Sequence, residues 1–322
     1  ASPIFRGDFA ARIVRGAAFP SNPTMPSFAV SISGAKIVAL VPARNEGAKI
    51  AFCLRALAGV ADAIVYLDDC SDDDTPAIVD SIADECRVER ILRKTTWHRD
   101  EPGDRNALLA AGRDIGGTHF AVIDADEAFT ANCLEDEGLR RAILSLSPGD
   151  QLALDWIALW RGIDQYRVEE SKWGDHGKSF VFCDDGRSAY ASGFIHTMRV
   201  PASLRGRVLA LAGPMPGVLP FQFVNWRNLL VKQAWTCCLE RIRDPCKPVS
   251  AINAIYGPSK DETALTLKAS PAQWFAAYPF FDKAVFEARE TWREAQVLGW
   301  FAQYGRAYFE ALDIWDVDWG RS

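Results

Sequence analysis

Asp124 and Asp126 stand two residues apart at the end of His119-Phe-Ala-Val-Ile-Asp-Ala-Asp-Glu127. On an extended backbone, side chains two apart project to the same side. The apolar run Phe120 to Ile123 reads as a buried strand that delivers both carboxylates at its carboxyl end. Two such groups cannot both stay charged and unpaired without a cation nearby. A hard divalent ion such as Mg2+ takes carboxylate oxygens and shares its remaining positions with phosphates. Asp-x-Asp alone is common in solvated loops, so its position and its company carry the weight.

Three further polar clusters lie upstream. Pro42-Ala43-Arg44-Asn45-Glu46 offers backbone groups and charged side chains at a helix start. Asp68-Asp69-Cys70-Ser71-Asp72 supplies a row of carboxylates, of which Asp69 is placed to accept from a nucleobase N–H or ribose hydroxyls. A carboxylate accepts and cannot donate, which favours an imide N–H such as that of uracil. Asp72 and Thr75 read as caps of the next helix. In Gly103-Asp104-Arg105-Asn106, Arg105 can neutralise a phosphate through its fork of donors, or can be a surface helix charge.

The elements that must position these residues follow from apolar periodicity. Strands are predicted over residues 36–41 (ended by Pro42), 63–67, 88–92 and 120–123, and helices over 46–57, 75–83 and 104–113. Strand–helix alternation predicts an α/β fold with a largely parallel sheet covered by helices on both faces. Ligands of such sheets bind beyond the carboxyl ends of the strands, where the polar clusters fall. Residues 1–34 read as an irregular arm, 35–200 as a catalytic sheet domain and 201–322 as a mostly helical, aromatic-rich region packed on it. Strands are also expected over 151–160 and 179–183, and helices over 221–242 and 271–308.

The 322 residues are 49% hydrophobic and 24% charged, enough for a sizeable core. A net charge of -6 argues against binding to nucleic-acid backbones. No apolar run approaches the roughly 20 residues that span a bilayer; residues 208–224 are broken by Pro214, Pro216 and Pro220. A cytoplasmic protein is expected, with peripheral contact at the inner membrane face as the one membrane association left open. The eight cysteines show no Cys-x-x-Cys spacing and read as buried, reduced thiols. Most of the eleven Trp fall after residue 155, where they can pack a core, stack on sugars or face a partner.

In order, Val41-Pro-Ala-Arg-Asn-Glu46, Leu67-Asp-Asp-Cys-Ser-Asp-Asp-Asp-Thr75, Gly103-Asp-Arg-Asn-Ala107 and Val122-Ile-Asp-Ala-Asp-Glu127 resemble the nucleotide-sugar half of family 2 glycosyltransferases of the GT-A fold. The resemblance covers residues 36–130. It implies that Pro42, Arg44 and Glu46 border the base pocket and that Asp69 holds the pyrimidine. Asp124 would lie near ribose and metal, and Asp126 would bind Mn2+ or Mg2+ at the diphosphate. The implied reaction is metal-dependent transfer of a sugar from a nucleotide sugar, most often a UDP-sugar, usually with inversion. The acceptor would be a hydroxyl of a glycan or of a lipid-linked saccharide.

The second half departs from that pattern. The Gln-x-x-Arg-Trp motif of many inverting members is missing. Gly193-Phe194-Ile195-His196 resembles a branch in which a His follows a Gly, which makes His196 a candidate third metal ligand beside water and phosphate oxygens. Where that branch carries a second His, Pro220 precedes Phe221-Gln222-Phe223. Asp155 and Asp175, each near a Trp, are the candidate bases for the acceptor hydroxyl, a structural ion pair being the other reading of either. His176 shares a Gly-flanked loop with Asp175, while His98 and His119 read as structural or surface residues. Two other functions compete: a degenerate nucleotide-sugar-binding scaffold, and a nucleotidyltransferase, which would carry a Gly-rich basic phosphate loop after the first strand.

Overall fold

The computed structural model describes residues 34–134, 137–169, 177–193, 196–211 and 216–320. The strands are β1 (Ile37–Ala43), β2 (Ala63–Asp68), β3 (Val88–Arg93), β4 (His119–Val122), β5 (Glu127–Phe129), β6 (Gln151–Trp156), β7 (Gln165–Arg167), β8 (Lys178–Cys183), β9 (Val208–Ala210), β10 (Gly217–Pro220) and β11 (Leu267–Ala269). The helices are α1 (Ile50–Ala58), α2 (Thr75–Ile82), α3 (Glu101–Asp114), α4 (Gly138–Leu144), α5 (Trp226–Arg243), α6 (Val249–Tyr256), α7 (Gln273–Ala276), α8 (Lys283–Glu287) and α9 (Trp292–Tyr304).

The main sheet runs β3-β2-β1-β4-β8-β6-β10-β5, with β9 also on β6, and β7 and β11 form a separate ribbon. β3, β2, β1 and β4 pair in parallel, as do β9 and β10 with β6, whereas β8 and β5 join antiparallel. The expected α/β fold with a mostly parallel sheet is therefore present. Strands β1, β2 and β4 are mostly apolar, with polar residues only at the ends of β2 (Asp68) and β4 (His119), because both faces are covered. Ile37, Ala39 and Val41 pack with Leu54 and Val79 of α1 and α2. Val38 and Leu40, on the other face, pack with Leu108 and Leu109 of α3.

Several boundaries differ from the sequence expectation. β1 passes through Pro42 instead of stopping before it. Pro42 lies opposite Leu67 of β2, while pairing with β4 has already ended at Leu40. The proline therefore sits where the strand has one partner, and its missing N–H breaks no second ladder. α3 starts at Glu101, earlier than expected, because the Asp100 carboxylate accepts the Gly103 N–H at 3.1 Å and Pro102 fits the first turn. Residues 46–49 form a turn and α1 begins only at Ile50. The segment after Pro220 opens as a 3-10 turn, and α5 starts after Asn225 caps Asn228 N at 3.0 Å. Residues 271–308 divide into α7, α8, α9 and a 3-10 turn at Arg306–Phe309.

The aromatic residues of the later segments mostly pack inside. Trp235, Val297, Phe309 and Trp319 share one core, and Phe221, Trp274, Tyr278 and Phe286 another. Among the described residues no helix is long and apolar enough to cross a membrane. The cysteines are free thiols, all buried except the intermediate Cys70 and the exposed Cys246.

Candidate active site

The loops after β1 and β2 are bonded to each other. Asn45 adopts φ 54, a left-handed conformation that Asn tolerates better than most residues. Its N–H donates to Ser71 Oγ at 3.0 Å, its amide to Asp72 at 2.6 Å, and its Oδ1 accepts the Asp72 N–H at 2.9 Å. The Thr75 hydroxyl accepts the Glu46 N–H at 2.9 Å. The N-cap position of α2 is Asp74, which makes no side-chain cap bond, and the preceding Asp73 carboxylate accepts the Thr75 N–H at 2.9 Å. Asp72 and Thr75 are occupied in fixing the β1 loop, which presents Arg44 at the strand ends.

Pro42, Arg44, Glu46, Asp69, Arg105, Asp124 and Asp126 all line one cleft of about 890 Å³ open to solvent. The residues of the expected base, phosphate and metal sites thus come together at the carboxyl ends of β1, β2 and β4. The sequence reading missed the opposite wall: Lys232, Trp235 and Thr236 of α5, and Trp292 and Arg293 of α9. The clue available in sequence was spacing, since Lys232, Trp235 and Thr236 fall on one helical face.

The carboxylates that line the cleft each lie against a cation. Asp124 lies 2.6 Å from Arg199 and 3.5 Å from Arg105. Lys232 Nζ donates to Asp126 at 2.9 Å. Burial alone would raise the Asp126 carboxyl, but Lys232 and Lys49 outweigh it and hold it far below the carboxylate range. Asp69 is 2.6 Å and Asp104 3.0 Å from Lys94. Glu46 takes Lys49 at 3.2 Å and Arg293 at 3.1 Å, so its side chain belongs to an internal network with Glu290 as well as to the cleft wall. Burial pushes the Glu46 carboxyl up against those two cations.

Two arginines of the cleft hold unfilled hydrogen-bond donors. Arg44 donates to the Asp69 carbonyl at 3.0 Å and lies over the Trp97 ring at 4.6 Å, while its Nε has no partner. Arg105 is 7% exposed, and its Nε and Nη1 have no hydrogen-bond partner. A buried guanidinium with open donors is costly unless an anion fills the place. It is suited to bidentate recognition of a phosphate.

Other expected site residues lie elsewhere. Asp155, expected as a base, is buried on β6 and does not line the cleft. Its neighbours in the strand, Leu154 and Trp156, face the β1–β4 core, and its charge acts instead on the buried Tyr166 phenol. Asp175 and His176 lie outside the described residues. His196, expected as a metal ligand, stands in a separate hollow with Tyr190 and Met198, its Nε2 at 2.8 Å from the Tyr256 hydroxyl. His119 is buried, with Nδ1 2.9 Å from Thr118 Oγ1, as a structural histidine would be.

A divalent ion at Asp124 and Asp126 is poorly matched to this donor set. Both carboxylates are engaged by fixed protein cations, and His196 is not beside them. Across the β5–β10 ladder, Pro220 is paired with Glu127, and Phe221 N donates to the Asp126 carbonyl at 2.9 Å. The neighbour that could have supplied another ligand is therefore a proline without a donor atom. Among the described residues no group of three metal-ligating side chains is assembled.

Comparison with known proteins agrees with this geometry. Residues 38–137 match the family described as Glycosyl transferase family 2. A comparison with curated proteins finds no match. Among solved structures, S. aureus TarS 1-349 in complex with UDP is 14% identical, with 62% of this chain and 63% of that chain covered and a TM-score of 0.41. Mannosyltransferase PcManGT from Pyrobaculum calidifontis, in complex with GDP-Man and Mn2+, is 17% identical, with coverages of 86% and 85% and a TM-score of 0.35. These two likenesses are descriptive and carry no part of the argument. Residues 38–137, which carry β1 to β5 and the strand-end residues of the cleft, are thus similar to glycosyl transferase family 2.

Proposed function

We propose that the cleft binds a nucleoside diphosphate sugar and that the enzyme transfers the sugar to a hydroxyl acceptor with inversion. The observation that supports this most is the convergence of Asp69, Asp124, Asp126 and the open guanidinium of Arg105 in one cleft. Asp69 is suited to a nucleobase imide and Asp124 to ribose hydroxyls, which favours a UDP-sugar. Arg105 is suited to the diphosphate.

In the proposed reaction the bond between the anomeric carbon and the β-phosphate oxygen breaks, and its electron pair leaves with the nucleoside diphosphate. The acceptor oxygen forms the new bond from the opposite face and gives its proton to a carboxylate. Asp175 is the proposed proton acceptor of the two expected, because Asp155 does not reach the cleft. The cationic wall stabilises charge growing on the departing oxygen, where preorganised donors act most strongly. A divalent ion enters no step here, given how its expected ligands are engaged.

Calorimetry with UDP, GDP and CMP, in Mn2+ and in chelator, tests the donor half. Binding of UDP supports the reading. No binding of any of them in either condition overturns it and moves the degenerate scaffold to first place. Incubation with UDP-sugars should release UDP; release of pyrophosphate would indicate nucleotidyl transfer instead.

A further inference from the structure

We infer that the protein's own cations, Lys232 foremost, occupy the place of the divalent ion, so that the cleft binds a nucleoside diphosphate without metal. The inference rests on the nucleotide-sugar reading above and concerns how the same site meets the diphosphate charge. A metal between Asp124 and Asp126 would do two things: neutralise the two carboxylates and attract phosphate oxygens. Both tasks are already assigned to side chains.

Neutralisation is complete before any ligand enters. Lys232 is bonded to Asp126 at 2.9 Å, and Arg199 meets Asp124 at 2.6 Å while also donating to Glu127 at 2.8 Å. These cations are held by the fold. Lys232 projects from the middle of the 18-residue helix α5, and Arg199 is 19% exposed in its side chain over the Phe180 ring. A metal ion would have to displace or crowd both, bringing dipositive charge against an ammonium and a guanidinium. That repulsion acts at contact distance, where solvent screens it least.

Attraction of phosphate is supplied as well. Lys232 has three donors and uses one on Asp126, which leaves two. Arg105 has open Nε and Nη1 donors in the same cleft. With Asp124 and Asp126 each held by a side-chain cation, a diphosphate meets the free donors of Arg44, Arg105 and Lys232. Lys232 can bond the leaving oxygen directly.

The test measures binding of UDP and GDP by calorimetry to wild type, Lys232→Ala and Lys232→Arg after chelator treatment, each repeated with Mn2+ and with Mg2+. Circular dichroism and thermal melts check that the variants fold. Wild type should bind in chelator within about threefold of its affinity in Mn2+. Lys232→Ala should lose about 10- to 100-fold in chelator, the weight of one charge-assisted hydrogen bond. It should recover in Mn2+, because the freed Asp126 can then take a metal ion. Lys232→Arg should keep most of the metal-free binding. Binding by wild type only when Mn2+ or Mg2+ is present would overturn the inference and leave the nucleotide-sugar reading standing. Equal metal-free affinity of wild type and Lys232→Ala would overturn the role of Lys232. Absence of binding in every condition would instead overturn the nucleotide-sugar reading itself.

Discussion

Arg199 and Glu127 meet across 72 residues of sequence, Nη2 donating to Oε1 at 2.8 Å. The same Glu127 oxygen accepts the Trp156 indole N–H at 3.0 Å, and its other oxygen accepts the Asp124 N–H at 3.1 Å. Glu127 is therefore the buried post on which the end of β4 is fixed, and Arg199 is its countercharge. Replacing Arg199 with Met should destabilise the fold by about 3–5 kcal/mol, since it leaves a buried carboxylate uncompensated. The double variant with Glu127→Gln should recover part of that loss. Burial already pushes the Glu127 carboxyl up, and without Arg199 it should rise further. A carboxyl raised above its unfolded value, about 4.3, costs stability as pH rises through the folded pKa. Arg199→Met should thus regain stability on acidification from pH 7 to 5, read as a shift in urea midpoint.

Arg105 presents the opposite balance. Its open donors serve no internal partner, so Arg105→Met should leave stability unchanged or raise it by about 1 kcal/mol. UDP affinity should fall by about 10- to 100-fold in the same variant. Unfolding midpoints and calorimetry on one preparation check both halves. A variant that lost stability and kept affinity would make Arg105 a structural residue.

Asp185 gives a local pH dependence away from the cleft. Burial would raise its carboxyl, but the N–H groups of Ser188 (2.7 Å) and Arg187 (3.0 Å) outweigh it and bring it to about 2. A depressed carboxyl contributes stability that is present above the unfolded value, about 3.9, and is lost as pH falls through the folded one. Wild type should lose stability between about pH 4 and pH 2. Asp185→Asn should be less stable at pH 7, by about 1 kcal/mol, and should lose less over that interval.

Phe52 joins α1 to the later aromatic segments. Its ring meets Phe221, Tyr278, Phe280, Phe281 and Phe286 edge-on, at centroid distances from 5.0 to 5.7 Å. Phe52→Ala should cost about 3–5 kcal/mol. The loss should also speed proteolysis around α7 and α8, read by mass spectrometry of limited digests.

The strand ends were legible in the sequence because each cluster follows its own strand directly. Pro42 with Arg44, Asp69, and Asp124 with Asp126 depend only on local strand–loop order and on sheet register. Their countercharges were not legible. Lys232 is 106 residues from Asp126, and Arg293 is 247 residues from Glu46. Nothing local distinguishes either from a surface helix charge, because only tertiary packing brings α5 and α9 over the sheet. An acidic residue in an apolar strand reads as functional, and Asp155 lies buried on β6, outside the cleft lining. The expected cap at Asp72 failed because Asn45 competes for the same carboxylate.

Because Lys232 and Arg293 close the cleft from far downstream, the segment that carries the recognisable motifs is not a portable nucleotide-binding module. A fragment ending near residue 225 would keep Asp126 and Glu46 and lose the ammonium and guanidinium that balance them. The carboxylates it exposes would repel the diphosphate of the proposed donor. Shortening this protein toward its motif core would strip cations from its site before it removed a single strand-end residue.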